Sequence, residues 1–277
     1  VLQDVESPPA RMAPAIISRV KILSRLNIAE RRLPQDGRIK LKISGKEVDL
    51  RVSTVPTMHG ESVVMRILDK QTLNLNLEDI GLSAKVLADL KSVLARPNGI
   101  FLVTGPTGSG KTTTLYAVLS RMNTPERKIM TVEDPVEYQI AGVNQIQAAP
   151  RIGLDFANAL RSIVRQDPDV IMIGEMRDRE TAGIAIQSAL TGHIVFSTLH
   201  TNDSASGVTR LLDMGLEDYL LTSTVNAIMA QRLVRVLCPA CRRESELTDE
   251  EVQHMGIARL VAEAGTRRVW RAVGCEA

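Results

Sequence analysis

Aromatic residues make up only 3% of this 277-residue chain, with one Trp, three Tyr and three Phe. Stacking platforms for unpaired bases are hard to build from so few rings, which argues against a single-strand nucleic-acid binder. Charge of one sign is also scarce. A formal net charge of +2 is too small for a protein that coats polyanions, although a pI near 8.5 leaves room for local basic faces. No apolar run approaches the roughly 20 residues needed to cross a bilayer, and Val1 to Ala10 has no basic-then-apolar leader pattern, so the expectation is a cytoplasmic chain. Three cysteines in such a chain point to metal or redox chemistry before structural disulfides. The sequence has no initiator Met and its last cysteine motif stops one residue short, so it reads as a fragment.

What is present begins with 44% hydrophobic content, enough for two domains with cores of their own. Its most specific stretch is Gly105 Pro106 Thr107 Gly108 Ser109 Gly110 Lys111 Thr112 Thr113, set between the apolar run Ile100–Val103 and a helical segment reaching Met122. This is a complete phosphate loop. A buried strand stops, glycines let successive N–H groups turn inward, and a helix aims its positive end at the phosphates. Lys111 would reach the β- and γ-phosphates and the Thr112 hydroxyl would ligate Mg²⁺.

Upstream, Ile16, Ile17, Val20, Leu23 and Leu26 recur at helical spacing. Gln35 Asp36 Gly37 reads as a turn, followed by alternating strands over 38–43 and 47–52 joined at Ser44 Gly45 Lys46, and a further strand over 62–68. Residues 1–70 therefore predict a small α+β domain, and 71–78 a linker. From 79 to 237 a helix is followed by strands at 101–104, 128–132, 170–173 and 194–198 with helices between, which predicts a mainly parallel α/β sheet. Residues 238–277 carry the cysteines. In that architecture ligands bind at the carboxyl ends of the strands.

The candidate residues follow those ends. Glu133, Asp134 and Glu137 lie in Thr131–Tyr138; alone this is equally a solvated acidic turn, and beside a phosphate loop it becomes a source of a base and of nucleotide contacts. After Ile171–Ile173, the acidic residue that usually ends such a strand is replaced by Gly174, leaving Glu175 to support Mg²⁺ or water. His200 is placed to sense the γ-phosphate, while His193 reads as a packing or turn residue.

The phosphate loop, Thr131–Tyr138, Gly174–Asp178 and Gly192 His193 with Ser197–Asp203 resemble the Walker A, Asp, Walker B and His boxes of the secretion ATPase superfamily. Leu23–Glu30 and Leu33–Arg38 are similar to the type II secretion ATPases (general secretory pathway protein E) and their close relatives, the type IV pilus assembly ATPases. The resemblance spans essentially the whole chain. It implies a RecA-like P-loop NTPase domain with a partial N-terminal PAS-like α+β domain and a C-terminal cysteine subdomain, in a hexameric ring that hydrolyses ATP. Glu137 would activate water, Glu175 would support Mg²⁺, and His200 would sense phosphate. Arg51 and Arg66 match arginines that reach the phosphates, and Arg161, Arg165 and Arg177 match interface arginines. An arginine on a strand is also often just a solvated or salt-bridged face.

Family members also carry a Cys₄ zinc site. Cys238 and Cys241 form a CxxC pair, 33 residues separate Cys241 from Cys275, and the fourth ligand would fall after Ala277. The pilus retraction ATPases lack this module. The family's small domain starts earlier, and its docking region for an inner-membrane platform lies further upstream. Platform binding, and with it peripheral membrane association, is therefore expected to depend on regions outside this sequence. The leading expectation is a motor that extends a pseudopilus. Its alternatives are a pilus extension ATPase, a nucleotide-gated scaffold without turnover, and a nucleic-acid translocase; no nucleic acid partner is expected.

Overall fold

The computed structural model describes residues 3–43, 46–68 and 76–275. The expected turn at Ser44 Gly45 and positions 71–75 of the expected linker lie outside the described residues. Two compact units are present, 1–231 and 232–277. Among the described residues no helix is long and apolar enough to cross a membrane.

The first unit begins with helix α1, Ala13–Leu23, which carries a proline in its first turn where the missing N–H costs nothing. Strands β1 (Gln35–Ile43), β2 (Lys46–Thr57) and β3 (Gly60–Leu68) then form an antiparallel meander. Gln35 Asp36 Gly37 is strand rather than turn, paired with Thr54, Ser53 and Val52. The glycine serves close approach instead, since a β-carbon on Gly37 would stand 2.5 Å from the Ser24 carbonyl oxygen. Lys21 on α1 is buried, ion-paired to Glu61 and donating to the Glu30 carbonyl at 2.7 Å, which ties the helix to the sheet.

The next elements are α2 (Ala84–Leu94), β4 (Gly99–Thr104), α3 (Lys111–Met122), β5 (Ile129–Glu133), β6 (Asn144–Gln147), α4 (Phe156–Val164), β7 (Val170–Ile173), α5 (Arg179–Leu190), β8 (Ile194–Leu199), α6 (Ser204–Asp213), α7 (Asp218–Thr224) and β9 (Val225–Ala230). The six strands lie in the order β6-β5-β7-β8-β4-β9, and every pairing is parallel. β4 is buried along its whole length. Ile100 and Leu102 pack on the face covered by α4 and α5, whereas Phe101 and Val103 pack on the face covered by α2 and α3. A strand buried on both sides reads as a continuous apolar run, which is why it was visible in the sequence. Asp155, Asp178 and Asp203 cap α4, α5 and α6 by accepting from the backbone N–H of the third residue of each helix.

In the second unit, β10 (Arg243–Glu246) pairs antiparallel with β11 (Arg268–Arg271), and between them lie α8 (Asp249–His254) and α9 (Ala258–Ala264). Thr248 and Glu251 make a reciprocal capping box on α8, and Arg271 forks onto Glu251 at 2.6 and 2.7 Å.

Candidate nucleotide site and cysteine cluster

Parallel pairing brings the strand ends to one edge. Thr104 is in register with Leu199, Ile173 with Ser197, and Val132 with Ile173. Gly105, His200, Gly174 and Glu133 therefore follow one another along the carboxyl edge of the sheet. Gly105, Gly108 and Gly110 have φ values of 150°, 77° and 86°, and α3 opens at Lys111. Nothing larger than glycine fits at Gly105, because a β-carbon there would meet Ser109 Oγ at 2.5 Å and the Gln231 carbonyl oxygen at 2.6 Å. Gln231 follows β9 and also accepts from Thr114 Oγ1 on α3 at 2.8 Å. Pro106, Thr107 and Gly108 are exposed, as is Thr112, while Gly110 and Thr113 are half-buried.

This loop fits an anion. Lys111 Nζ donates to the carbonyls of Gly105 at 2.8 Å and Pro106 at 3.1 Å, so the ammonium already bends over the loop. Ser109 Oγ is buried without a hydrogen-bond partner, a donor that a phosphate oxygen would satisfy. The amide dipoles at the start of α3 add positive potential.

The acidic segment divides by environment. Glu133 ends β5 with a buried carboxylate. It accepts from Tyr116 Oη at 2.5 Å, Thr131 Oγ1 at 2.6 Å and Gln145 Nε2 at 3.1 Å, so three donors inside the fold occupy it. Asp134 is exposed, and Glu137 is half-buried with a carboxylate that has no hydrogen bond or ion pair among the described residues. Burial first, then the Glu133 charge, pushes the Tyr116 phenol well above its ordinary pKa.

Glu175 is shared. One carboxylate oxygen pairs with Arg177 and the other lies 3.2 Å from His200 Nε2. The hydrogen bond to Glu175 holds the Arg177 guanidinium above its usual pKa. The Gly174 carbonyl accepts from Thr198 Oγ1 at 2.8 Å, which locks the end of β7 to β8 beside this cluster. Arg161 and Arg165 are exposed on and just after α4. Arg161 pairs with Glu180 and Arg165 donates to the Arg161 carbonyl at 2.8 Å. His193 closes a turn through Ser188 and Thr191.

Arg51 and Arg66 are cross-strand partners, and Arg38 opposes Arg51 on the other side. The three guanidinium side chains thus share one row on one face of the small sheet. Like charges directly opposite one another are unfavourable unless an anion lies between them. Arg38 donates to the Val136 carbonyl, which brings that face to the Asp134–Tyr138 loop.

In the second unit the Sγ atoms of Cys238, Cys241 and Cys275 all lie within 4.8 Å of one another, with Cys238 and Cys275 at 3.8 Å. Four thiolates at about 2.3 Å from a tetrahedral zinc stand about 3.8 Å apart, the separation of Cys238 and Cys275, so the three thiols are close enough together to hold a metal ion. The Ala240 and Cys241 N–H groups lower the Cys238 pKa, while sharing a proton with Cys275 raises that of Cys241.

The sequence reading missed Tyr116, Gln145, Gln231 and Arg38. For Tyr116 a signal existed: a tyrosine on the inner face of a helix must find a partner for its hydroxyl. The other three carry no local signal, since only the tertiary fold brings their partners close.

A phosphate loop following one strand of an all-parallel sheet, with carboxylate and imidazole groups at the neighbouring strand ends, defines a RecA-like P-loop NTPase fold. The sequence matches the family described as Type II/IV secretion system protein over residues 1–277, and the chain belongs to that family. It is 66% identical over 260 residues to the Type II secretion system protein E of Xanthomonas campestris pv. campestris, covering 94% of this chain and 46% of that protein. It is 54% identical over 277 residues to the Type IV pilus assembly ATPase PilB of Myxococcus xanthus, covering 99% and 49% of the two chains. The crystal structure of the pilus retraction motor PilT with bound ADP aligns with a TM-score of 0.61 at 28% identity, over 85% of this chain and 71% of that one. The chain spans about half the length of the curated relatives it matches.

Proposed function

We propose that this chain is the ATP-hydrolysing portion of a type II secretion ATPase, working as a cytoplasmic hexamer that extends a pseudopilus. The observation that carries the reading is the phosphate loop, with Lys111 bent over it and Ser109 Oγ left without a partner. Residues 105–113 bind the triphosphate. Lys111 neutralises it, and Thr112 and Glu175 hold Mg²⁺, which supplies charge to the β- and γ-phosphates. Glu137, whose carboxylate is uncommitted, takes the proton of the attacking water. His200, in contact with Glu175, senses the γ-phosphate, and Asp134 acts near Arg177. Arg51 and Arg66 bring positive charge to the phosphoryl oxygens as the small domain closes, which stabilises the transition state. Arg161, Arg165 and Arg177 act at the subunit interface.

In this reading residues 1–70 form a PAS-like portion, 71–78 a linker, 79–237 the RecA-like motor and 238–277 a zinc module. The inner-membrane platform is engaged through regions outside this chain. The PilB likeness supports a second reading, extension of a type IV pilus by the same ATPase chemistry.

Phosphate release at high chain concentration tests the ATPase. Turnover in the unsubstituted chain that disappears in Lys111→Ala is the expected result, and turnover surviving that substitution contradicts it.

A further inference from the structure

Tyr116 lies on α3, one helical turn beyond Thr112, and its side chain is wholly buried. Its hydroxyl has a single proton to give. An ionised carboxylate only accepts and a backbone N–H only donates, so the phenol must donate to Glu133 Oε2 at 2.5 Å and accept from the Glu137 N–H at 3.2 Å. Glu133 is held in turn by Thr131 and by Gln145. The Gln145 amide then grips the same loop further on. It donates to the Tyr138 carbonyl at 2.9 Å and accepts from the Ile140 N–H at 2.7 Å. The Tyr138 ring closes the arrangement, edge-on to Tyr116 with centroids 5.7 Å apart.

Three backbone groups of the loop, at Glu137, Tyr138 and Ile140, are therefore fixed by one polar network, buried at Tyr116 and Glu133 and half-buried at Gln145, that starts on the phosphate-loop helix. A fully satisfied buried network is rigid and specifies one arrangement. We propose that Tyr116 is a positioning residue, acting through the Glu137 backbone to hold the Glu137 carboxylate at the phosphate loop. The proposal rests on the ATPase reading above. It assigns Glu133 and Gln145 to the same task and gives α3 a direct line to the base: a shift of the helix when phosphates fill the loop moves the phenol and the Glu137 amide together.

The test uses Tyr116→Phe, which removes the hydroxyl and keeps the ring, with Gln145→Met as a second variant at the half-buried sheet edge. Four readouts are compared: affinity for a non-hydrolysable ATP analogue, phosphate-release kcat, hydrogen exchange at the Glu137 amide, and single-turnover rate in a Glu137→Gln background. Misplacing a reacting group by about 1 Å costs on the order of a hundredfold, so kcat is expected to fall about ten- to a hundredfold. Analogue affinity should stay within about twofold, Glu137 amide exchange should accelerate, and the Glu137→Gln background should show no further loss, because the residue acts through that side chain. Unchanged kcat and exchange in both variants overturn the proposal. So does a loss that multiplies in the Glu137→Gln background, or affinity that falls in step with turnover. Failure of the ATPase reading looks different: the unsubstituted chain then releases no phosphate, which overturns both.

Discussion

The carbonyl oxygen of Gln231 lies 2.6 Å from where a β-carbon on Gly105 would stand, so the end of β9 and the first residue of the phosphate loop touch backbone to backbone. Ser109 Oγ, 2.5 Å from the same point, can turn aside, but the Gln231 carbonyl is main chain, so relief requires the loop to move. Gly105→Ala is therefore expected to weaken nucleotide binding by about five- to a hundredfold, from about 1–3 kcal/mol of overpacking. Calorimetry comparing the two chains checks this, and equal affinity contradicts it.

Lys21 and Glu61 are a buried ion pair joining α1 to the small sheet, with side-chain exposures of 1% and 11%. Removing one partner strands the other charge, at a cost of about 3–5 kcal/mol. Lys21→Ala should lower the denaturant midpoint of the first unit accordingly, and Lys21→Met combined with Glu61→Leu should recover much of it. A single substitution without effect would remove this pair from the account of the small domain.

A tyrosine in an unfolded chain titrates near pH ~10. Burial and the Glu133 charge hold the Tyr116 phenol far above that in the fold. Above pH ~10 the folded chain thus binds one proton more than the unfolded chain, so this contribution is complete below that pH and is lost as pH rises. The slope approaches about 1.4 kcal/mol per pH unit. Unfolding of Tyr116→Phe should depend less steeply on pH between about 10 and 11, as denaturant titrations at several pH values would reveal.

Cobalt(II) added to the reduced chain should give a thiolate charge-transfer band from Cys238, Cys241 and Cys275. Cys238→Ser should weaken cobalt binding by about tenfold or more, about 1.4 kcal/mol. A band of equal affinity in that variant would exclude the cluster.

How far the sequence carried this picture depends on the element. Val170–Ile173 was legible to the residue, because a strand buried on both faces leaves a continuous apolar run. β6, Asn144–Gln147, was not: it is a polar edge strand without apolar alternation. β9 was hidden because Val225 follows α7 directly, with no turn residues to mark the boundary. In the site, glycine spacing exposed the phosphate loop. The roles of Tyr116 and Gln145 come from partners that only the fold brings within hydrogen-bond reach.

The central claim is that a triphosphate occupies the loop from Gly105 to Thr112. Calorimetric titration of the folded chain with a Mg²⁺-loaded, non-hydrolysable ATP analogue measures this directly. Saturable heat at one nucleotide per chain, lost in Lys111→Ala, is the result the account predicts; no heat from the unsubstituted chain would contradict it.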